Sequence, residues 1–465
     1  MNVRQRPNGG MYPLRMPTAL SLAVIAGALA VIAGALAASP VSAGVPAPTA
    51  GTNSESVRLA AAQAATSVSD TYRLVVLGDS VSVGYEPNVT NWNDIYGYGD
   101  RLYEQALLHG RSEMSNYAIA GLTTEGLINL LQGAKDKKKL TISQIQDFSQ
   151  YPDERVAQLA SDVGSRTPEL NESLKQADAV ALTIGGNDFL DYVKNLLEED
   201  PKDAIAQLDA EIDGLLNNYT IQAKQAVELL HELAPNAVIK LTDQYLPMPV
   251  QYDADLYADL IGVTDKLAGL LDQLEQGLDA QDVPLDIVHI RSLFAGKEMS
   301  LTHIYYDKDV HPNQTGYAAI ARQFSDSLWH SYTSIPAADK TKNGTALAPA
   351  IYINGKSLST PNQPMLKNST TFLALRDVAD ATGALVQWDS KTQTATFTKG
   401  ANKVVIAIGS KTMTVNGIQK ELTTAAYLQK VGSEQKTYVP LAAIATGLQY
   451  QVVYRSKLNT AFINS

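Results

Sequence analysis

Short, uninterrupted apolar runs recur along the middle of the chain. Leu74-Val75-Val76-Leu77 ends at Gly78, Ala179-Val180-Ala181-Leu182-Thr183-Ile184 ends at Gly185-Gly186, and Ala237-Val238-Ile239-Lys240-Leu241-Thr242 follows a break at Pro235-Asn236. Runs of this length without polar alternation predict strands buried on both faces of a sheet. Between them, Ile205 to Leu233 and Tyr257 to Leu278 carry apolar residues three or four apart, the spacing of helices with one buried face. Strands alternating with helices predict a parallel sheet covered on both sides. Right-handed crossovers then bring the loops that follow the strands to one edge, where α/β proteins place their sites.

The pattern changes at both ends of this region. Arg4, Arg6 and Arg15 precede an uncharged stretch from Thr18 to Ala38, and Ser39-Pro40-Val41-Ser42-Ala43 sets small residues where a signal peptidase reads. Residues 1–43 are therefore expected to be a signal peptide cleaved after Ala43, with a retained membrane anchor as the alternative. Residues 44–70, rich in Ala, Ser, Thr and Pro, read as a flexible tether. Pro336, Gly344 and Pro349 punctuate a second linker over 334–349, leaving domains at 71–333 and 350–465. The last domain alternates Thr, Val and Ile and contains an internal repeat. Phe372 to Ala379 resembles Tyr438 to Ala445, and Trp388 to Lys391 matches Tyr454 to Lys457 at the same offset. With turn pairs at Asn354-Gly355 and Asn416-Gly417, it is expected to be an α+β module of two similar units.

A length of 465 residues agrees with two folded domains. A net charge of -11 repels polyanions, so nucleic acid is not an expected partner. The one dense basic run, Lys137 to Lys139 after Lys135, reads as a solvated loop or helix end. The absence of cysteine excludes disulfides, thiolate metal sites and a cysteine nucleophile. Any chemistry must use oxygen and nitrogen, and no residue pattern calls for a cofactor or a metal.

Four segments offer such chemistry. Gly78-Asp79-Ser80 follows the first strand, which sets the Ser80 hydroxyl on a strand-to-helix turn with its own N–H free. Asn116-Tyr117-Ala118-Ile119-Ala120-Gly121 ends in a glycine that lets the backbone approach a substrate. Gly185-Gly186-Asn187-Asp188 ends another strand and carries a side-chain amide able to donate to an oxyanion. His311-Pro312-Asn313, with Gly316-Tyr317, places an imidazole just before the apolar helix Ala318 to Trp329. Each alone is an ordinary turn or cap; their order along one sheet is far more specific.

In these blocks the sequence resembles the SGNH, or GDSL-like, hydrolases from about Tyr72 to Tyr332. The resemblance implies a flavodoxin-like three-layer α/β/α sandwich that hydrolyses acyl esters. It further implies that Ser80 attacks the carbonyl, that His311 accepts its proton, and that the Ser80 N–H, the Gly121 N–H and the Asn187 side chain stabilise the oxyanion. A hydroxyl is a poor nucleophile near neutral pH and needs an adjacent base, for which histidine is the natural residue. His109, His231, His289, His303 and His330 lack a matching constellation and are expected to be structural. Asp79 is expected to support the turn.

One departure from the family pattern concerns the third triad member, usually an aspartate three residues before the histidine. Here that position is Lys308, which has no acceptor for the imidazole N–H. Asp307 and Asp309 flank it, and Asp309 is preferred because residues two apart in extended chain point the same way. A dyad using a backbone carbonyl is the alternative. The stretch from Lys135 to Pro168 exceeds what the family core needs and reads as a lid or as decoration.

The expected function is that of a secreted serine esterase or lipase acting on a small-molecule or lipid ester. The alternatives are a carbohydrate or peptidoglycan O-acetylesterase and a non-catalytic surface protein. Residues 350–465 resemble the copper amine oxidase N-terminal-like domain, yet contain neither histidine nor cysteine, so the usual imidazole and thiolate copper ligands are missing. This module is expected to be a stalk, or an attachment to cell-wall glycan through Tyr427, Tyr438, Tyr450 and Tyr454.

Overall fold

The computed structural model describes residues 71–151 and 153–465. The signal segment 1–43 and the tether 44–70 expected from the sequence lie outside them. The described chain forms two compact units, one of residues 75–99 with 116–323, the other of residues 71–74, 100–115 and 324–465. Among the described residues no helix is long and apolar enough to cross a membrane.

The sheet that carries the sequence motifs contains β1 (Tyr72–Gly78), β2 (Ser112–Asn116), β3 (Ala179–Thr183), β4 (Val238–Thr242) and β5 (Leu285–Val288) in the order β2-β1-β3-β4-β5. β3, β4 and β5 pair in parallel, with Val180 opposite Ile239 and Leu241 opposite Ile287. This is the flavodoxin-like order, in which the strand sequence reverses beside β1 and opens a crevice at the C-terminal edge. Both faces of the strands are covered, as the continuous apolar runs require. Val75, Leu77, Val180, Leu182, Ile239 and Leu241 share one core with the surrounding helices. The alternate residues Leu74, Val76, Ala179 and Ala181 are buried as well. Lys240 interrupts the apolar run at the cost of a buried ammonium, which Asp286, its register partner on β5, neutralises.

The connecting helices are α1 (Ser80–Val83), α2 (Tyr98–His109), α3 (Thr124–Lys135), α4 (Glu154–Ser165), α5 (Thr167–Lys175), α6 (Gly186–Glu198), α7 (Pro201–Leu233), α8 (Ala254–Asp279) and α9 (Gln314–Trp329). The two helices read from apolar spacing are α7 and α8, each a few residues longer at its start than the spacing alone marks. Asp200 caps α7 with Pro201 at its first position, and the Asp253 carboxylate accepts the N–H groups of Asp255 and Leu256 at 3.1 and 2.9 Å.

The C-terminal residues form a β-rich module with two short helices, and the internal repeat is visible in it. Strand Thr370–Ala374 runs into helix Leu375–Thr382, as strand Glu434–Pro440 runs into helix Leu441–Gly447. The two repeat strands pair antiparallel, with Leu373 opposite Val439. Asn354-Gly355 and Asn416-Gly417 are left-handed at both residues, with φ of +48° and +76° and of +51° and +85°, as two-residue hairpin turns demand. Of the four tyrosines that motivated a glycan surface, Tyr438 and Tyr450 are core residues and Tyr427 is half-buried. Tyr454 alone of these is exposed. Alternation in a half-buried sheet explains this: apolar rings on the inner face have a core to fill.

Candidate active site

The site begins where β1 ends. Gly78 has φ +118°, and a Cβ there would stand 1.9 Å from the Thr183 carbonyl oxygen, so glycine lets β1 and β3 close on each other at the reversal point. The chain then turns sharply into α1. Asp79 caps that turn as the sequence indicates: its carboxylate accepts the Val81 N–H at 3.0 Å and the Thr183 hydroxyl at 2.8 Å. Burial, only partly offset by those bonds, pushes the Asp79 carboxyl up to about 6. Ser80 occupies the first helical position, where the N–H has no intrahelical acceptor. Among the described residues that N–H has no hydrogen-bond partner.

His311 reaches Ser80 from the far end of the unit. Its Nε2 lies 2.7 Å from the Ser80 Oγ, and its Nδ1 lies 2.6 Å from Asp309 Oδ1. An ionised carboxylate only accepts, so Nδ1 carries the hydrogen and Nε2 is left to accept from the serine hydroxyl. Asp309 is buried, and it also accepts the His311 backbone N–H at 2.8 Å. Burial raises its carboxyl, but attraction to His311 and these two bonds outweigh that and leave it below the ordinary value. The structure thus sets Asp309, and not Asp307, against the His311 ring. Asp307 is not in the line to Ser80: its carboxylate meets His303 Nδ1 at 2.7 Å instead. The reason is local, because Lys308 between them is left-handed at φ +56° and turns the two side chains apart.

The rest of the imidazole's surroundings fix its plane. The Tyr85 ring packs against it with centroids 4.5 Å apart. Tyr317, buried in α9, donates its hydroxyl to the Tyr85 carbonyl at 2.6 Å. Asn313 caps α9 through its side-chain oxygen, accepting the N–H groups of Thr315 and Gly316 at 2.9 and 3.1 Å. Asn313 and Tyr317 of the His311-Pro312-Asn313-x-x-Gly316-Tyr317 block thus help to hold the segment that carries the imidazole.

Gly121 and Asn187 complete the group. Gly121 has φ +80°, and a Cβ there would come within 2.5 Å of the Tyr151 ring. Its carbonyl is held by Gln146 Nε2 at 2.8 Å, with the Tyr151 hydroxyl 3.2 Å away. Asn187, in the first turn of α6, donates one amide hydrogen to the Leu122 carbonyl at 2.9 Å, and its second is left to donate. The next residue, Asp188, accepts the Thr124 N–H at 3.1 Å and ties α6 to the start of α3. Burial pushes its carboxyl up to about 6.

Sequence reasoning singled out Ser80, Gly121, Asn187 and His311, and the structure gathers them around one space. It missed Gln146 and Tyr151. They come from the stretch 135–168 taken as a lid or decoration, and they brace Gly121. No local motif marks them, since a glutamine and a tyrosine in a loop acquire a role only through what they touch. It also missed the cavity. A space of about 260 Å³ extends from Ser80 and His311 between α6, α7 and α8, lined there by Phe189, Leu208, Ile212, Leu216, Leu260 and Val263. Ile212 and Val263 each border two apolar clusters, so the cavity lies in the seam between them.

The family model for GDSL-like Lipase/Acylhydrolase matches residues 74–324, more than half of the chain. The chain belongs to the GDSL-like lipase/acylhydrolase family. It is accordingly an ester-hydrolysing enzyme with a lipase or esterase activity. The copper amine oxidase N-terminal domain model matches residues 352–463 of this GDSL-like enzyme, the region without histidine or cysteine. No curated relative matches the sequence. Solved structures similar to it include the lipase Lip_vut3 from a goat rumen metagenome, at 19% identity over 56% of this chain and 98% of that one, with a TM-score of 0.36. The extracellular lipase from Streptomyces rimosus is 17% identical over 54% and 96%, TM-score 0.36. Phospholipase A1 from Streptomyces albidoflavus NA297 is 17% identical over 54% and 95%, TM-score 0.32. The assignment rests on the family model.

Proposed function

We propose that this enzyme cleaves carboxylic esters of medium-length acyl chains by a serine mechanism, with Ser80 as nucleophile, His311 as base and Asp309 as the residue that orients the base. The Ser80 Oγ gives its proton to His311 Nε2 as it attacks the ester carbonyl, and Asp309 holds the imidazolium that results. The oxyanion lies between the Ser80 and Gly121 N–H groups and the Asn187 amide, three donors worth about 2.7–4 kcal/mol each in comparable sites. His311 then returns the proton to the leaving alcohol. Water, activated by the same imidazole, releases the acid from the acyl-serine.

The observation that carries this reading is the unbroken chain from Asp309 through His311 to Ser80, at 2.6 and 2.7 Å, opening into an apolar cavity. The cavity supports the choice of substrate class. A void of about 150 Å³ accommodates the six carbons of benzene, roughly 25 Å³ per carbon. The space of about 260 Å³ then suits an acyl chain of about ten carbons. An acetyl group leaves that wall without a partner, so an O-acetyl ester is the poorer fit. Export belongs to the same proposal on the strength of residues 1–43 alone, with Gly44 as the first residue of the mature chain.

The test is hydrolysis of p-nitrophenyl esters from acetate to palmitate by the wild type and by Ser80→Ala. Turnover that rises toward about ten carbons and falls by at least about 10⁴-fold in Ser80→Ala is the expected result. Equal rates for the two proteins would remove the serine mechanism, and a preference for acetate would remove the acyl-chain assignment.

A further inference from the structure

A second histidine stands beside the first in an unusual electrostatic setting. The ring of His303 lies between two carboxylates: Nδ1 is 2.7 Å from Asp307 Oδ2, and Nε2 is 3.0 Å from Glu86 Oε2. The remaining oxygen of each carboxylate is occupied by an amide N–H, from Asn88 onto Asp307 at 3.1 Å and from Gln314 onto Glu86. Ionised carboxylates only accept, so a ring held by both donates from both nitrogens, the arrangement an imidazolium makes. The ring and Glu86 are largely withdrawn from water, with side chains 15% and 11% exposed. In that setting the pair is screened less than at the surface. The charged groups facing the ring are Glu86 from the segment after α1, Asp307 from its own loop, and Asp309 at longer range.

The backbone of the same residue reaches both ends of the loop that holds the imidazole of the site. The His303 N–H donates to the His311 carbonyl at 3.0 Å. Its own carbonyl accepts the Asp307 N–H at 2.9 Å, and the Asp309 N–H lies 3.5 Å from it. Within this loop Lys308 takes the left-handed conformation that places the acid two residues before His311. A loop shaped this way needs an external brace, and His303 supplies one through side chain and backbone together.

We infer that His303 is a positioning residue for ester hydrolysis: clamped between Glu86 and Asp307, its imidazolium fixes the 303–311 loop so that Asp309 and His311 stay aligned with Ser80. The inference rests on the assignment of His311 as base. Burial alone pulls the His303 ring toward neutrality, but the bonds and attractions of Glu86 and Asp307 outweigh it and raise its pKa above the ordinary value. A raised histidine pKa stabilises the clamp fully below the unfolded value of 6.5 and loses that contribution as pH climbs through the folded one. Loosening therefore belongs to the alkaline side.

The experiment measures kcat and KM for p-nitrophenyl octanoate from pH 6 to 10 in the wild type, His303→Gln, Glu86→Gln and Ser80→Ala. His303→Gln is expected to lose about 10- to 100-fold in kcat near neutrality, the scale of a small misplacement of a reacting group, with KM nearly unchanged. It should also lack the alkaline decline of the wild type. Glu86→Gln, which keeps an acceptor but not the charge, should move that decline to lower pH. In ¹⁵N-labelled protein at pH 7, a histidine ring with both nitrogens protonated should be present in the wild type and missing from the His303→Gln spectrum. Variant profiles that superimpose on a Ser80-dependent wild type overturn this inference alone, as does a neutral His303 ring. A Ser80→Ala protein as active as the wild type overturns the serine mechanism and the inference with it.

Discussion

Replacing Ile212 by tryptophan is the most informative way to test what the cavity is for. Ile212 lies on α7 where the cavity passes between two apolar clusters, opposite Val263 on α8. A tryptophan side chain has about six more heavy atoms than isoleucine, which at roughly 25 Å³ each occupies about 150 of the 260 Å³. The room left suits about four carbons. Each methylene buried in the wild type contributes up to about 0.8 kcal/mol, a factor of about four in kcat/KM. The wild type should therefore gain up to about fourfold per added methylene until the chain reaches about ten carbons, then level off. In Ile212→Trp the rise should stop near butyrate, with hydrolysis of acetate and butyrate esters within a few-fold of wild type, since Ile212 touches none of the site's polar groups. The difference between octanoate and butyrate then collapses from a ceiling of about 3 kcal/mol to nearly nothing. The assay is kcat/KM for p-nitrophenyl esters of two to sixteen carbons, below their micellar concentrations. A chain-length profile identical in the two proteins would refute the placement of the acyl chain between α7 and α8.

Three other expectations address the polar groups. Asn187→Ala should lower kcat by about 10²–10³-fold while leaving the fold intact, measured with butyrate ester to keep the cavity out of the comparison. Asp309→Asn should cost about 10³–10⁴-fold in kcat at every pH tested, whereas Asp307→Asn should cost no more than about tenfold near neutrality; the reverse ranking would exchange their roles. Asp79→Asn should stabilise the protein. The buried carboxyl lies near 6 instead of 3.8, and at about 1.4 kcal/mol per pH unit its charge costs at most about 3 kcal/mol above pH 6. Because the folded value is the raised one, that penalty is present at pH 7 and gone below pH 4. Denaturant titrations should show a gain at pH 7 that disappears at pH 4, and an equal difference at both would refute it.

How much of this was legible in the sequence follows from how local each signal is. The strands announced themselves because a doubly covered sheet needs apolar residues on both faces, and Leu74 to Leu77 has nothing else. Ser80 and Asn187 were legible because each follows the end of such a strand, where backbone turns leave a recognisable glycine or cap, and Gly121 because it closes the loop after the polar edge strand β2. The choice between Asp307 and Asp309 was open in the sequence, and a single dihedral at Lys308 decides which carboxylate faces His311. Gln146, Tyr151 and the Glu86–His303 half of the clamp left no trace, since their partners lie in other segments of the chain: Glu86 and His303 are 217 residues apart. The cavity was invisible for the same reason. Leu208, Ile212, Leu260 and Val263 read as ordinary buried faces of amphipathic helices, and only the fit between α7 and α8 shows that they enclose space.

The most direct measurement is covalent trapping with an alkyl fluorophosphonate followed by peptide mapping. Phosphonylation of the peptide containing Ser80, abolished in Ser80→Ala and slowed by orders of magnitude in His311→Ala, is the expected result. Modification of a different residue, or labelling of Ser80 that proceeds equally well without His311, would contradict the assignment of this hydroxyl and this imidazole as the reacting pair.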